Sequence, residues 1–457
     1  MRGFIIENTI LKKYTGPDGD VVIPDEVTAI SEKAFSWCSS LTSITIPDSV
    51  TSIGDEAFCG CKKLTSIIIP NSVTVIGSSA FSWCSSLTSI TIPDGVTSIG
   101  DETFSWCCSL TSITIPDSVT SIGDAAFMDC SSLTSINIPD SVTRIGDAAF
   151  MNCSSLTSIR IPDGITDIGR SAFWHCSSLT SITIPDSVTR IGDAAFMDCS
   201  SLMGINIPDS VTVIGGSAFW RCGSLMSINI PGSITRIGNA AFSRCSNLMS
   251  INIPDSVTVI GSSTFSRCSN LVSINIPGSV TRIGDTAFSE CSSLTSITIP
   301  DSVTSIGDEA FSGCSRLTVQ WSGTGTIGMS AFKGVPCLIL PRIPFADFTD
   351  AETKRAAVRG FLANRALYTD PDIIRMHQQY FFAQKKKLLP FLFENDLVEG
   401  IAICAENRKI TSKNFETDFL NPALEAHATQ CIAYLLNWKH EHFSARFTKM
   451  DDFLLDE

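Results

Sequence analysis

The chain has 457 residues, 44% of them hydrophobic and 17% charged, with a net charge of −14 at pH 7 and an isoelectric point near 4.8. The apolar fraction is ample for a buried core and excludes a disordered chain. The acidity excludes nonspecific binding to a phosphate backbone, so no nucleic-acid partner is expected and any basic site must be a local patch.

Residues 1–20, MRGFIIENTILKKYTGPDGD, lack the apolar core and small-residue cleavage site of a secretory signal, because Glu7 and Asn8 interrupt the one apolar run. They read as an N-terminal cap. The expected location is the cytoplasm, with a surface or secreted protein as the alternative. No stretch reaches the roughly 18 to 20 apolar residues that span a bilayer, so membrane insertion is not expected.

Residues 21–345 repeat with a period of 23. Leucine recurs thirteen times in register from Leu41 to Leu317, and Phe35 to Phe311, Pro24 to Pro300 and Cys38 to Cys314 keep the same period. One unit reads L-T-S-I-T-I-P-D-S-V-T-S-I-G-D-x-A-F-S-x-C-S-S. Leu41, Ile44 and Ile46 carry the strand pattern and point inward, while Ser43 and Thr45 point out. Pro47 ends the strand, since it cannot donate a ladder hydrogen bond, and Asp48 and Ser49 supply the turn. Val50 and Ile53 return to the core, and Gly54 permits a sharp bend. Asp55 is placed to cap a short helical turn that buries Ala57, Phe58 and Cys61. One such unit cannot cover its own apolar face, so the units must stack.

This unit resembles the BspA-like, or type 5, leucine-rich repeat family of bacteria, whose signature stands here in Ile115 to Leu133, IPDSVTSIGDAAFMDCSSL. The resemblance implies a right-handed leucine-rich repeat solenoid with a parallel β-sheet on one face and short helical turns, in about thirteen to fourteen repeats. It also implies surface adhesins and binders of host or matrix components among the relatives.

After Leu317, WSGTGTIGMSAFKGVPCLIL keeps Ile327, Phe332, Cys337 and Leu340 but brings Ile and Phe two residues early, as in a distorted last rung. PRIPFADF reads as a linker. Residues 346–457 then form a small all-α domain, resembling the helical tails of signal-less bacterial leucine-rich repeat proteins. A helix is expected to start from Asp350. A second runs from Asp370 and Pro371 toward Pro390, with further segments at 392–405, 411–420 and 422–438. The tail is nearly neutral, with 15 Lys and Arg against 17 Asp and Glu over residues 342–457, so the acidity belongs to the repeats.

Of the eighteen cysteines, fourteen form the column from Cys38 to Cys337 and read as buried reduced thiols. His427 and Cys431 lie at helical spacing, with His440 and His442 beyond, yet surface or core positions explain them as well as metal ligation does. The column Asp48, Asp94, Asp117, Asp140 and onward is what a Pro-Asp turn prefers, a calcium site between rungs being the alternative. No nucleophile, base or phosphate-cradling motif is present, so no catalytic residue, cofactor or metal is expected.

Partner binding is expected at departures from the repeat, where packing does not dictate the residue. The outward strand column includes Thr45, Ile68, Thr91, Thr114, Asn137, Arg160, Asn206, Asn229 and Asn252. Trp37, Trp83 and Trp106 hold the outward position between Phe and Cys, and exposed aromatics are binding anchors. Arg221, Arg244 and Arg267 fill that column in three consecutive rungs. Arg190, Arg236 and Arg282 stand just before Ile-Gly, making a basic stripe. Met203, Met226 and Met249 replace Thr where the strand begins. The expected function is a noncatalytic protein-binding scaffold with a protein partner; the alternative is an exported adhesin for a host surface protein or glycan.

Overall fold

The computed structural model describes residues 3–17, 19–344 and 348–443. Asp18 of the expected cap and residues 345–347 of the expected linker lie outside them. The chain divides into two compact units. The first comprises the chain up to Leu294 with Ser305–Cys314 and Ile327–Ala331; the second comprises Thr295–Thr304, Ser315–Thr326 and the chain from Phe332 onward.

In the first unit each 23-residue rung stacks in register on the next. Ser112, Ile113 and Thr114 pair in parallel with Ser89, Ile90 and Thr91, so like side chains lie over like. The widest ladder is a six-stranded parallel sheet running from Ser158–Arg160 to Ser273–Asn275. In a typical rung Leu, Ile and Ile are buried and the residues between them exposed. Proline stops the strand, and its carbonyl closes the next turn, as Pro47 accepts the Val50 N–H at 3.1 Å. The serine of that turn reaches back one rung, Ser49 Oγ donating to the Val27 carbonyl at 2.6 Å. A second parallel ladder of two-residue strands follows, for example Ser52–Ile53 beside Val75–Ile76.

The segment expected to be a short helical turn is instead a row of turns. Within the rung Cys59 N–H bonds Glu56 O at 3.0 Å and Cys61 N–H bonds Phe58 O at 3.2 Å. Between rungs, Glu56, Phe58 and Gly60 donate to the carbonyls of Ser78, Ala80 and Ser82 at 2.8 to 2.9 Å. A helix would spend those N–H groups along its own axis. Here they turn sideways because Glu56 (φ 51°) and Gly60 (φ 74°) are left-handed. Asp55 is likewise no helix cap: its carboxylate accepts the N–H of Ser78, its counterpart in the next rung, at 2.8 Å. Asp101 repeats this with Asp124 at 2.7 Å.

The core of this unit is built from columns. Phenylalanine rings stack from Phe35 to Phe311 with neighbouring centroids 5.1 to 5.8 Å apart. Each column cysteine from Cys61 to Cys314 donates its thiol to the Phe carbonyl of the rung before, Cys176 to Phe150 at 3.2 Å, as a second donor beside the Cys153 N–H that this carbonyl already accepts. Burial pushes these thiols up, Cys245 to about 12. At the N-terminal end Phe4–Glu7 and Ile10–Tyr14 form an antiparallel hairpin whose turn residues Asn8 and Thr9 both have positive φ. Tyr14 extends the ring column, 5.2 Å from Phe35.

In the second unit Ser296–Ile299, Thr318–Trp321 and Cys337–Ile339 form a parallel sheet. Trp321 pairs with Ile299 and is fully buried. Ser296 opposite Thr318 and Thr318 opposite Cys337 break the 23-residue spacing, and Cys337, expected in the buried cysteine column, instead opens the last strand. Helix α1 (Ala351–Ala363), capped by Asp350, packs on the last strand at Gly360, where any Cβ would collide with the Leu338 carbonyl. Helix α2 (Pro371–Ala383) starts at Asp370 as expected but ends before Pro390, which lies inside α3 (Lys385–Glu394). The stretch 392–405 is broken by Asp396 (φ 51°) before α4 (Val398–Glu406). A π-helical segment Phe415–Leu420 leads into α5 (Asn421–Glu425) and then α6 (Thr429–Phe443). The break before α6 is His427 (φ 56°), so His427 and Cys431 do not share a helix face.

Candidate interaction surface

Trp37, Trp83, Trp106, Arg221, Arg244 and Arg267 share one column of the turn row, and that column is left-handed throughout. Its φ values are 61° to 62° at Trp37, Trp83 and Trp106, and 57° to 62° at Arg221, Arg244 and Arg267. Gly60, Gly313, Asn152, Asp129, Asp198 and His175 occupy it elsewhere. The recurrence of Gly, Asn and Asp in one column is the sequence signal for this geometry.

Trp83 and Trp106 stack face to face with centroids 4.4 Å apart. Trp37, 58% exposed, leans over Gly60, where a Cβ would meet its ring at 2.7 Å, and Lys62 Nζ sits 5.4 Å from the ring centroid. The arginines are not equivalent. Arg221 pairs with the mostly buried Asp198 at 3.3 Å, and Arg267 pairs with Glu290 at 3.0 Å. Arg221 and Arg244 flank the half-buried Trp220 at 5.1 and 5.5 Å. The row therefore presents guanidinium planes braced on an indole, with acids at both ends limiting its net positive charge. Asp129 in the same column has its carboxyl raised by burial, against a hydrogen bond from Asn152 at 3.0 Å.

Arg190, Arg236 and Arg282 stand on a different row, the two-residue ladder, where they alternate with Val213 and Val259. Arg160, on the outward strand column, pairs with Asp140 and, at 3.9 Å, with Asp163, so it neutralises the Pro-Asp column beside it.

The strand face shows a coordinated change. Thr45, Thr91 and Thr114 are exposed, as are Asn137, Asn206, Asn229 and Asn252. From Met203 to Asn275, four consecutive rungs replace the strand-start Thr by Met203, Met226, Met249 and Val272 and the outward Thr by Asn206, Asn229, Asn252 and Asn275. The four apolar side chains are 46% to 54% exposed. Their backbones stay on the ladder, Met249 N–H to Met226 O at 3.2 Å, so the fold does not require the exchange. Arg221, Arg244 and Arg267 precede Met226, Met249 and Val272 by five residues across the turn at the column cysteine, so three of the four rungs carry all three departures, while Asp198 holds that place before Met203.

Among the described residues no group of three or more His, Cys, Asp or Glu is placed to hold a metal ion. No helix of the described residues is long and apolar enough to cross a membrane.

The family model for the BspA type leucine rich repeat region matches in overlapping segments, residues 13–134, 120–249 and 217–339. The structure is similar to that of a leucine-rich repeat protein from Bacteroides ovatus, with 33% identity over 76% of this chain and 94% of that one, at a TM-score of 0.58. A leucine rich cell surface protein from Faecalibacterium prausnitzii is 34% identical over 70% of this chain and 93% of that one, with a TM-score of 0.46. A search of functionally curated proteins matched none. With its 23-residue period, its parallel ladders and a family match spanning nearly all the rungs, the chain belongs to the BspA-type leucine-rich repeat family.

Proposed function

We propose that the protein is a noncatalytic scaffold that grips a protein partner on the four-rung surface of Met203, Met226, Met249 and Val272, the asparagines beside them and the Arg221, Arg244 and Arg267 row. The observation that carries this reading is the synchrony of the change. The preceding rung sits on the same parallel ladder with Thr180 and Thr183 in the two columns, so neither core packing nor ladder pairing accounts for four adjacent apolar side chains in water. A contiguous exposed apolar row bordered by amides and guanidinium groups is the composition of a partner-binding face. Adaptable methionine suits it, and arginine braced on Trp220 supplies preorganised anchors.

A photo-crosslinking residue placed at Met226 tests it, with the same residue at Thr134, in the same column four rungs away, as control. The expected result is one protein captured from native extract at Met226 and not at Thr134, and lost in the triple variant Met203→Thr, Met226→Thr, Met249→Thr. Equal capture at both positions, or capture that survives the triple variant, would remove this surface from the reading.

A further inference from the structure

On the other ladder of the first unit, three departures from the repeat meet at one open groove of about 880 Å³. The column that contains Asp55 begins with Glu32 and holds Asp, Ser or Asn in most later rungs, but it carries Arg170 in one and Gly216 two rungs later. Trp174 fills a column that is Ser or Met in most rungs. Arg170, Trp174, Asp193, Met197, Gly216 and Arg236 all line the groove.

Each departure contributes something different. Gly216 makes the hollow: a Cβ there would find its nearest neighbour, the Asn239 carbonyl, at 3.4 Å, so backbone geometry leaves room for a side chain and the sequence omits it. Asp193 holds the floor, accepting the Gly216 N–H at 2.7 Å. Trp174 and Met197 give one wall an apolar surface. Arg170 stands at one end and Arg236 three rungs further on, both exposed, and among the described residues neither has an ion-pair partner within 4.0 Å, whereas Arg144, Arg160, Arg221 and Arg267 do.

We propose that this groove binds a short extended acidic peptide of a partner protein, with two carboxylates set four residues apart and an apolar residue between them. The two arginines are three rungs apart, about 14 Å along the stack at the usual strand spacing, and three positions apart within the rung, an offset across the stack that their long side chains can span. An extended peptide rises about 3.3 Å per residue, so carboxylates at positions i and i+4 span about 13 Å and project from the same face. The residue midway between them projects from that face too and meets Trp174 and Met197. A long polyanion is disfavoured by Asp193 within the groove and by the chain's net charge of −14, while two separated carboxylates match the two unpaired guanidinium groups. The groove shares no residue with the Met, Asn and Arg surface, so this proposal and the scaffold surface fail separately.

The test is titration calorimetry of the full chain with an acetylated, amidated peptide Asp-Thr-Phe-Thr-Asp, at low and at physiological salt. Saturable binding that weakens with salt is expected, and weakens at least tenfold when both Asp are replaced by Asn. The double variant Arg170→Ser, Arg236→Ser is expected to lose the same factor. Gly216→Asn, which fills the hollow without changing charge, is expected to abolish binding. Ser or Asn already stands at the corresponding positions of other rungs, so these variants should keep the fold, which their circular dichroism verifies. Equal binding of the Asn peptide, insensitivity to the folded variants, or no heat up to millimolar peptide overturns the proposal. So does tighter binding of an oligonucleotide that is lost with Arg170 and Arg236.

Discussion

Two residues in each rung are held at positive φ, and most of them are not glycine. A left-handed conformation costs an L-residue roughly 1 kcal/mol or more, least for Asn and Asp and most for β-branched side chains. His175, at φ 60°, is a clean place to measure this. His175→Gly should be neutral or stabilising by up to about 1 kcal/mol, and His175→Val destabilising by about 1 to 2 kcal/mol, read from urea unfolding midpoints. Stability unchanged by valine would mean the column is not strained. The thiols give a second measurement. With burial holding the Cys column far above the ordinary thiol range, alkylation of the native chain near neutral pH should be confined to the half-buried Cys38, Cys108 and Cys337. The remaining cysteines should react only on unfolding; rapid native labelling of Cys176 would contradict its burial. The buried and outward columns were readable from sequence because packing imposes the same residue every 23 positions. The left-handed turn row was not, since Trp and Arg conceal what Gly60, Gly313 and Asn152 disclose.

An element of this fold is a column as much as a strand. Phe173, fully buried between Phe150 and Phe196, should cost about 3 to 5 kcal/mol on replacement by alanine, because its neighbours cannot both close on the cavity. By contrast, Met203→Thr, Met226→Thr and Met249→Thr should each change stability by less than about 0.5 kcal/mol, which is what a surface reserved for a partner requires. In the second unit, His377 is buried between Phe361 and Tyr368, its Nδ1 2.9 Å from the Ile373 carbonyl, and burial lowers its pKa from the ordinary 6.5. The unfolded chain therefore takes up the proton first. Stability present above pH 6.5 is lost as pH falls from there toward the folded-state value. Asp396 adds a lower window: hydrogen bonds from the Gln430 and Cys431 N–H groups lower its pKa, so its contribution is lost as pH falls below 3.8. Hydrogen exchange over residues 351–443 should show the upper step, and His377→Phe should abolish it; an unchanged step would assign it elsewhere. Helix starts at Asp350 and Asp370 were legible from capping chemistry. The breaks at Asp396 and His427 were not, because the apolar periodicity runs through both.

Across the first unit, the unit of construction is the whole rung. Deleting residues 135–157 joins Thr134 to Ser158 and returns every column to its place, so cooperative unfolding should persist with a smaller denaturant slope. Deleting 135–156 instead offsets every later column by one position, which should abolish cooperative unfolding. Retention of a sharp transition in the second deletion would mean that column register does not hold the fold. The groove and the four-rung surface were hard to read from the sequence for a related reason. Each depends on which columns become neighbours, and single columns show only isolated departures.

The in-register stacking of near-identical rungs also shapes how the chain reaches its native state. A rung that docks one place too far along finds Phe over Phe, Cys under a Phe carbonyl and Ile between Ile, as it would in its proper place. The error leaves a 23-residue loop extruded, and closing such a loop costs only about 3 kcal/mol in its length-dependent part. Core chemistry alone discriminates poorly against these slips. The discrimination falls to the irregular residues: the Tyr14 hairpin at one end of the column, Arg160 opposite its two aspartates and Gly216 beneath its neighbour's carboxylate. Departures from the repeat, those of the two proposed binding surfaces among them, thus also act as fiducial marks during folding, and erasing them should lengthen the slow phases of refolding even where native stability is untouched.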